Sequence, residues 1–197
     1  MKNGDLTIPL KELATIRTGQ TFKTAPQPTE HGDLSVLLPR DLSDGKIVIP
    51  PIMINSGEVP ALNNHLLKKD DVLIVNKGSR FGSFLYSNSP AFAIATSSFF
   101  VITPGPDLQA SYLYWYLNQP PARHYLTQHA AASTTIPSFT KPVLANLPIP
   151  IVPVEEQEHL ASVFREFQQE RDLLSMLMKN REQLCDSYIW ERIKKPA

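Results

Sequence analysis

The pattern of apolar and polar positions changes character along the chain. In the first hundred residues, short apolar runs alternate with turn residues: "SVLLPRDL", "DGKIVIPP", "DDVLIV" from Asp70 to Val75, and "FAIATSSFFVITP" from Phe92 to Pro104. Runs of this length, bounded by Pro, Asp and Gly, predict short strands, with residues 92–104 read as one of them. Between the last two lies "NKGSRFGSFLY", whose Gly78 and Gly82 can take turn conformations that other residues resist. From Asp107 onward the pattern becomes helical. Asp107 can cap a helix beginning near Leu108. "LQASYLYWYLNQ" carries apolar residues on most faces, which predicts a buried helix ended by Pro120 and Pro121. Pro121 suits the start of a second short helix, "PARHYLTQHA". "AAASTTIPSF" reads as a small, polar loop, and "KPVLANL" leads out of it.

The segment "LPIPIVPVEEQEHLASVFREF", Leu147 to Phe167, joins two regimes. Pro148 and Pro150 hold φ near −65° and bias Leu147 and Ile149 toward extended geometry, which predicts a stiff strap crossing the surface. Glu155, Glu156 and Glu158 then suit a first helical turn, where the dipole favours negative charge. No Ser, Thr, Asp or Asn stands there to cap it. Leu160, Val163, Phe167, Leu174, Leu177, Leu184 and Tyr188 follow a 3–4 spacing, interrupted only by Glu170 and Arg181. A helix from Glu155 to about Arg192 would be about 57 Å long. A domain of about 150 residues cannot cover such a stripe, so a partner helix is the natural solution. The alternative is a long helix packed wholly on its own domain.

Composition narrows the classes. The 197 residues are 42% hydrophobic, enough for a core, and the 18 prolines are scattered in a way that suggests loops rather than disorder. The single cysteine, Cys185, excludes an internal disulfide framework and reads as a small apolar residue beside the helical seam. No secretory pattern or membrane-length apolar run is present, so a soluble, cytoplasmic protein without membrane contact is the expectation. With 19 basic and 19 acidic residues the formal charge is zero. Residues 1–105 hold ten Lys/Arg against nine Asp/Glu, and residues 155–197 hold seven against nine. Any affinity of this chain alone for nucleic acid should therefore be modest.

Enzyme motifs are missing. "NKGS" has Lys-Gly-Ser where a phosphate loop needs Gly-Lys-Ser, and there is no G-x-S-x-G elbow. "NQPP" at 118–121 lacks the spacing of an amino-methyltransferase motif and its glycine-rich loop. His31, His65, His124, His129 and His159 form no metal-ligand cluster, so neither a metal site nor a catalytic residue is expected.

Several stretches together resemble one half of the specificity (S) subunit of type I restriction–modification systems. "LKELATIRTGQTFKT" (10–24) is similar to the family's opening helix and Gly-x-Thr loop. "LLKKDDVLIVNKGSRFGS" (66–83) is similar to its leucine, spacer and glycine-containing turn, and "SYLYWYLNQ" (111–119) to its aromatic helix. "TIPSFTKPVLANLPIPIVPVEEQEHLASVF" (135–164) is similar to the strap, Glu-Gln pair and helix that follow each target-recognition domain. The resemblance implies an α+β fold: one globular target-recognition domain of short twisted strands and helices over residues 1–153, then a long C-terminal helix, 154–197, that pairs as a coiled coil.

The resemblance also implies a non-catalytic, DNA-reading role. A full S subunit has two recognition domains and two antiparallel helices, and each domain reads half of a bipartite site in double-stranded DNA. Two methyltransferase (M) subunits dock on it and hold the S-adenosylmethionine, so no cofactor is expected on this chain. A separate restriction (R) subunit cleaves DNA. This chain departs from the pattern in holding one domain and one helix, which suggests an antiparallel homodimer through the seam residues. The rival readings are an interaction protein that pairs through its helix without DNA, an enzyme whose site leaves no motif, and an inactive donor half.

Candidate DNA-reading residues lie on loops. Lys77, Ser79 and Arg80 occupy the glycine turn, where an arginine can pair bidentately with guanine; a plain hairpin with solvated charges is the alternative. Thr21, Lys23 and Thr24 follow Gly19 in the opening loop. Ser133, Thr134, Thr135 and Ser138 form a hydroxyl-rich loop that suits phosphates or is simply a connector. Arg40 is a base-reading candidate that could equally pair with Asp41 or Asp44. Tyr112, Tyr114, Trp115 and Tyr116 read as core rather than as stacking platforms.

Overall fold

The computed structural model describes residues 6–43, 45–78, 81–131 and 136–194. Two compact units divide the chain, residues 1–158 and residues 159–197. The first is an α+β unit, as the sequence predicts.

It opens with strand β1 (Thr7–Pro9), the single turn α1 (Leu10–Leu13) and strand β2 (Ala14–Thr18). The opening helix is therefore one turn long, because the chain returns at once to alternating strand geometry. Strands β3 (Leu34–Leu37), β4 (Leu42–Ser43), β5 (Lys46–Ile47), β6 (Ile52–Ile54), β7 (Val72–Val75) and β8 (Ser83–Leu85) follow. The apolar run 92–104 is not one strand. It breaks at Thr96–Ser98 into β9 (Ala93–Ala95) and β10 (Phe99–Pro104), which belong to different sheets. Helices α2 (Ala110–Leu117), α3 (Pro120–Gln128) and α4 (Lys141–Ala145) precede strand β11 (Pro148–Pro150). Helix α2 starts two residues later than Asp107 would place it, with Gln109 at the cap position, since the Asp107 carbonyl instead accepts from Gln157.

A four-stranded antiparallel sheet, ordered β2-β10-β7-β8, is the centre of the unit. Both of its faces are covered, which is why "VLIV" and "FFVI" are unbroken apolar runs rather than alternating ones. Val72, Ile74, Phe100 and Ile102 point to a core shared with Leu113 and Leu117 of α2, Leu126 of α3 and Leu144 of α4. Leu73, Phe99 and Val101 point the other way, to a core with Leu37, Tyr86, Ala93 and Ala95. The strands β6-β3-β9 form a second sheet, in which β3 and β9 run parallel. Asp71, fully buried at the start of β7, accepts from Arg17 Nη2 at 2.8 Å, the Lys68 amide at 2.9 Å and Thr103 Oγ1 at 2.5 Å, joining three strands.

The proline strap is a paired strand, not a surface-crossing ribbon. β11 runs antiparallel to β1, with Ile149 opposite Ile8 and wholly buried. The Leu10 amide donates to the Leu147 carbonyl and the Ile151 amide to the Leu6 carbonyl, each at 3.0 Å. Antiparallel ladders bond at alternate residues, so Pro148 and Pro150 occupy the positions that need no ladder donor. Their carbonyls face away from β1 and accept from Tyr116 Oη at 2.8 Å and Tyr112 Oη at 2.9 Å. The aromatic residues of α2 are thus core: Tyr112 and Tyr116 are buried, and Tyr114 and Trp115 pack against the same cluster.

Residues 159–194 continue one uninterrupted helix, α5 (Val154–Lys194), longer at both ends than the sequence estimate. All seven seam residues, Leu160, Val163, Phe167, Leu174, Leu177, Leu184 and Tyr188, are exposed, by 38% to 70%. Cys185 is exposed as well. Among the described residues, no helix is long and apolar enough to cross a membrane, and no group of three His, Cys, Asp or Glu could hold a metal ion.

Burial pushes the Tyr112 and Tyr116 phenols above their ordinary range, with Tyr112 adding to the effect on Tyr116. The folded chain therefore keeps these protons at a pH where the unfolded chain loses them. Their contribution is intact below about pH 10 and is lost as pH rises through the folded-state values. Tyr112→Phe and Tyr116→Phe should each cost about 1–2 kcal/mol near neutral pH, by leaving a buried carbonyl unpaired. Urea denaturation measures the cost, and the double variant should show a shallower loss of stability above about pH 10.

Candidate nucleic-acid interface

Four segments converge at one end of the central sheet. The antiparallel register puts the end of β2, the start of β10, the end of β7 and the start of β8 side by side: Thr18 faces Phe100, Phe99 faces Val75, and Ile74 faces Ser83. The opening loop, the 96–98 turn and the glycine turn all leave from there. The Gly19 amide donates to the Phe99 carbonyl at 3.1 Å, and the Gln20 amide to the Ala95 carbonyl at 2.8 Å. The Ser97 amide returns a bond to the Gln20 carbonyl at 2.8 Å. This approach requires glycine, since a Cβ on Gly19 would lie 2.2 Å from the Thr96 carbonyl oxygen.

Asn76 joins the remaining segments. Its amide donates to the Ser98 carbonyl at 3.0 Å, and its side-chain Nδ2 to the Ser97 carbonyl at 2.9 Å. Its own carbonyl accepts from the Phe139 amide at 3.2 Å. Lys77 and Ser138 then form an isolated antiparallel bridge, reinforced by the Gly78 amide donating to the Pro137 carbonyl at 2.9 Å. The Phe139 ring anchors this loop in the core, edge-on to Phe81 at 4.8 Å between centroids and tilted against Phe100 at 5.7 Å. Gly78 has φ of +123°, which a side chain resists, and among the described residues nothing lies within 4 Å of where its Cβ would stand.

The structure therefore brings Lys77 together with Ser138 and sets both beside the root of the loop carrying Thr21, Lys23 and Thr24. Lys77, Lys23, Thr21 and Thr24 are exposed, and Ser138 is half-buried. Arg40 follows β3, whose last carbonyl, on Leu37, accepts from the Thr96 amide at 3.2 Å, so it leaves the same end of the second sheet. Its side chain is 69% exposed, and its Nε lies 3.8 Å from Asp41 Oδ1, a loose ion pair. Ser79, Arg80, Ser133, Thr134 and Thr135, like Asp44, lie outside the described residues.

Sequence reading missed Gln20, Asn76 and the hydroxyls of Thr96, Ser97 and Ser98. The signal was present: three polar residues interrupting an apolar run mark a turn between two strands rather than the middle of one. Asn76 Oδ1 and Thr96 Oγ1 are buried without a hydrogen-bond partner among the described residues. Buried polar atoms of that kind are uncommon and concentrate where function or strain retains them.

Comparison with known proteins agrees with this fold. The family model described as "Type I restriction modification DNA specificity domain" matches residues 6–179. A chain from a structural study of complex assembly and conformational transition of the type I R-M system is 21% identical, with a TM-score of 0.69, covering 95% of this chain and 44% of that one. The type I restriction–modification S subunit from M. genitalium is 16% identical, with a TM-score of 0.62, over 95% of this chain and 46% of its own. The HsdS subunit from Thermoanaerobacter tengcongensis is 21% identical, with a TM-score of 0.62, over 90% and 40%. The chain thus spans less than half the length of these solved chains. No curated protein matches it in sequence.

Two substitutions separate the groups that hold this edge from those that do not. Asn76→Asp sets a carboxylate against the Ser97 carbonyl and should lower stability by about 2–3 kcal/mol. Thr96→Val keeps the shape, removes a hydroxyl that lacks a partner, and should change stability by less than about 1 kcal/mol. Urea denaturation of the two variants measures the contrast.

Proposed function

The chain belongs to the type I restriction–modification DNA specificity family, and from that membership we propose that it is the DNA-reading subunit of a methyltransferase complex. It pairs through α5 with a second copy in antiparallel fashion, and each copy reads half of an interrupted, palindromic site in double-stranded DNA. Methyltransferase subunits dock on the pair and carry S-adenosylmethionine, so the chain itself performs no chemistry; a nuclease subunit adds cleavage where one is present.

The convergence of the opening loop, the glycine turn and the 136–139 loop at one sheet end carries this reading. Exposed Lys23, Lys77 and Arg40 supply positive charge there, and Thr21, Thr24 and Ser138 supply hydroxyls. Lysines and hydroxyls suit phosphate oxygens, and arginine suits the guanine edge. The exposed seam of α5 supports pairing, because an apolar stripe of that length in water favours association. Zero net charge supports a division of labour in which the partners provide most of the phosphate contacts.

The test is reconstitution with the methyltransferase subunit, followed by mapping of methylated adenines. The expected product is an interrupted palindrome with half-sites about one helical turn apart; methylation without sequence preference would remove the reading. Arg80→Ala should relax preference at one position of each half-site, by about 1–3 kcal/mol of discrimination, with the fold intact. Lys77→Ala should weaken binding evenly across sequences and reduce its salt dependence. The isolated chain should bind DNA weakly, and salt-insensitive tight binding by it alone would contradict the division of labour.

A further inference from the structure

The apolar seam of α5 is broken at two places, Glu170 and Arg181, and both side chains are exposed. Neither has an opposite charge within reach along its own helix. Residues 166, 167, 173 and 174 around Glu170 are Glu, Phe, Leu and Leu; residues 177, 178, 184 and 185 around Arg181 are Leu, Met, Leu and Cys. Pairing at three- or four-residue spacing is therefore closed to them. A charge on the seam of a paired coil is costly unless an opposite charge meets it, and a single polar layer of this kind selects register.

We propose that α5 pairs with α5 of a second copy in the one antiparallel register that sets Glu170 against the partner's Arg181, and by two-fold symmetry Arg181 against the partner's Glu170. This rests on the dimeric reading above and specifies it. In that register the seam closes layer by layer from Val163 to Tyr188: Leu174 faces the partner's Leu177, Phe167 the partner's Leu184, and Val163 the partner's Tyr188, while Leu160 at the end of the seam meets the partner's Glu191. Two charged layers flank an apolar centre, and each lies inside further apolar layers.

Other arrangements leave the charges unmatched. A slip of one heptad in one direction puts Glu170 on the partner's Leu174 and Arg181 on the partner's Val163. A slip the other way puts Glu170 on the partner's Tyr188 and Arg181 on the partner's Leu177. Parallel, in-register pairing sets Glu170 on the partner's Glu170 and Arg181 on the partner's Arg181. Of these arrangements the antiparallel register alone makes the pattern self-complementary, which favours another copy of this chain as the occupant of the seam.

The register has a functional consequence. A heptad slip moves one helix along the other by about 10.5 Å. That is about three base pairs of DNA at 3.4 Å each. The two charge layers thus set how far apart the two copies begin their helices, and with it the gap between half-sites.

Charge exchange tests the proposal on the full chain. Glu170→Arg alone and Arg181→Glu alone each place like charges together twice, and should raise the dimer dissociation constant at least about 100-fold in sedimentation. Mixing the two variants restores opposite charges at both layers, and should recover dimer within about tenfold of wild type. Circular dichroism of each variant confirms that the helix is retained. A variant carrying Val163→Cys, Tyr188→Cys and Cys185→Ser should form disulfides between position 163 of one copy and position 188 of the other under mild oxidation, identified by mass spectrometry of the linked peptides, where a parallel pair would link 163 to 163 and 188 to 188. A monomeric wild type removes the dimeric reading and the register with it. A dimeric wild type whose single variants dimerise equally well, whose mixture fails to recover, or whose introduced thiols do not form the 163–188 link removes the register alone.

Discussion

A strand written Pro-Ile-Pro has only one amide to donate, and the arrangement of everything after Leu147 depends on how its polar atoms are satisfied. β11 solves this by alternation: Ile149 occupies the bonded position opposite Ile8, while Pro148 and Pro150 occupy positions where a ladder donor is not needed. Their outward carbonyls would be orphaned in an apolar core. Tyr116 and Tyr112, one helical turn apart on α2, reach them with their hydroxyls. Gln157 completes the arrangement at the first turn of α5. Wholly buried, it accepts from the Gln109 amide at 2.9 Å and donates to the carbonyls of Asp107 and Val152 at 3.1 and 2.9 Å. The helix that lacks a Ser, Thr, Asp or Asn cap is held instead by a glutamine inside it.

The same economy of backbone bonding shapes the candidate interface at the end of the central sheet. Strand ends expose amides and carbonyls that need partners, and here they find one another across loops far apart in sequence. Asn76 is the meeting point, bonded to Ser97, Ser98 and Phe139 at once. Loops anchored at their roots in this way can carry exposed Lys23, Lys77 and Arg40 without depending on their tips for stability.

The long helix obeys a different constraint. Its charge-interrupted stripe lies exposed, and the interruptions are complementary to each other rather than to anything on the same helix. The antiparallel pairing proposed above would bring them together twice.

The sequence by itself determined what local chemistry decides. Pro148, Pro150 and Pro153 with the following glutamates located the strap and the start of α5, the 3–4 spacing of Leu160 through Tyr188 defined its seam, and "DDVLIV" marked a short strand. Family resemblance across residues 10–164 supplied the fold class. What only the tertiary structure decided were the non-local hydrogen bonds: that the strap pairs with β1, that residues 92–104 split between two sheets at Thr96, and that the loops of Gly19, Asn76 and Ser138 share one end. Periodicity reports which face of an element is apolar, because that depends on neighbours a few residues away. It carries no record of which distant amide meets which carbonyl, because every residue but proline offers the same pair of backbone groups.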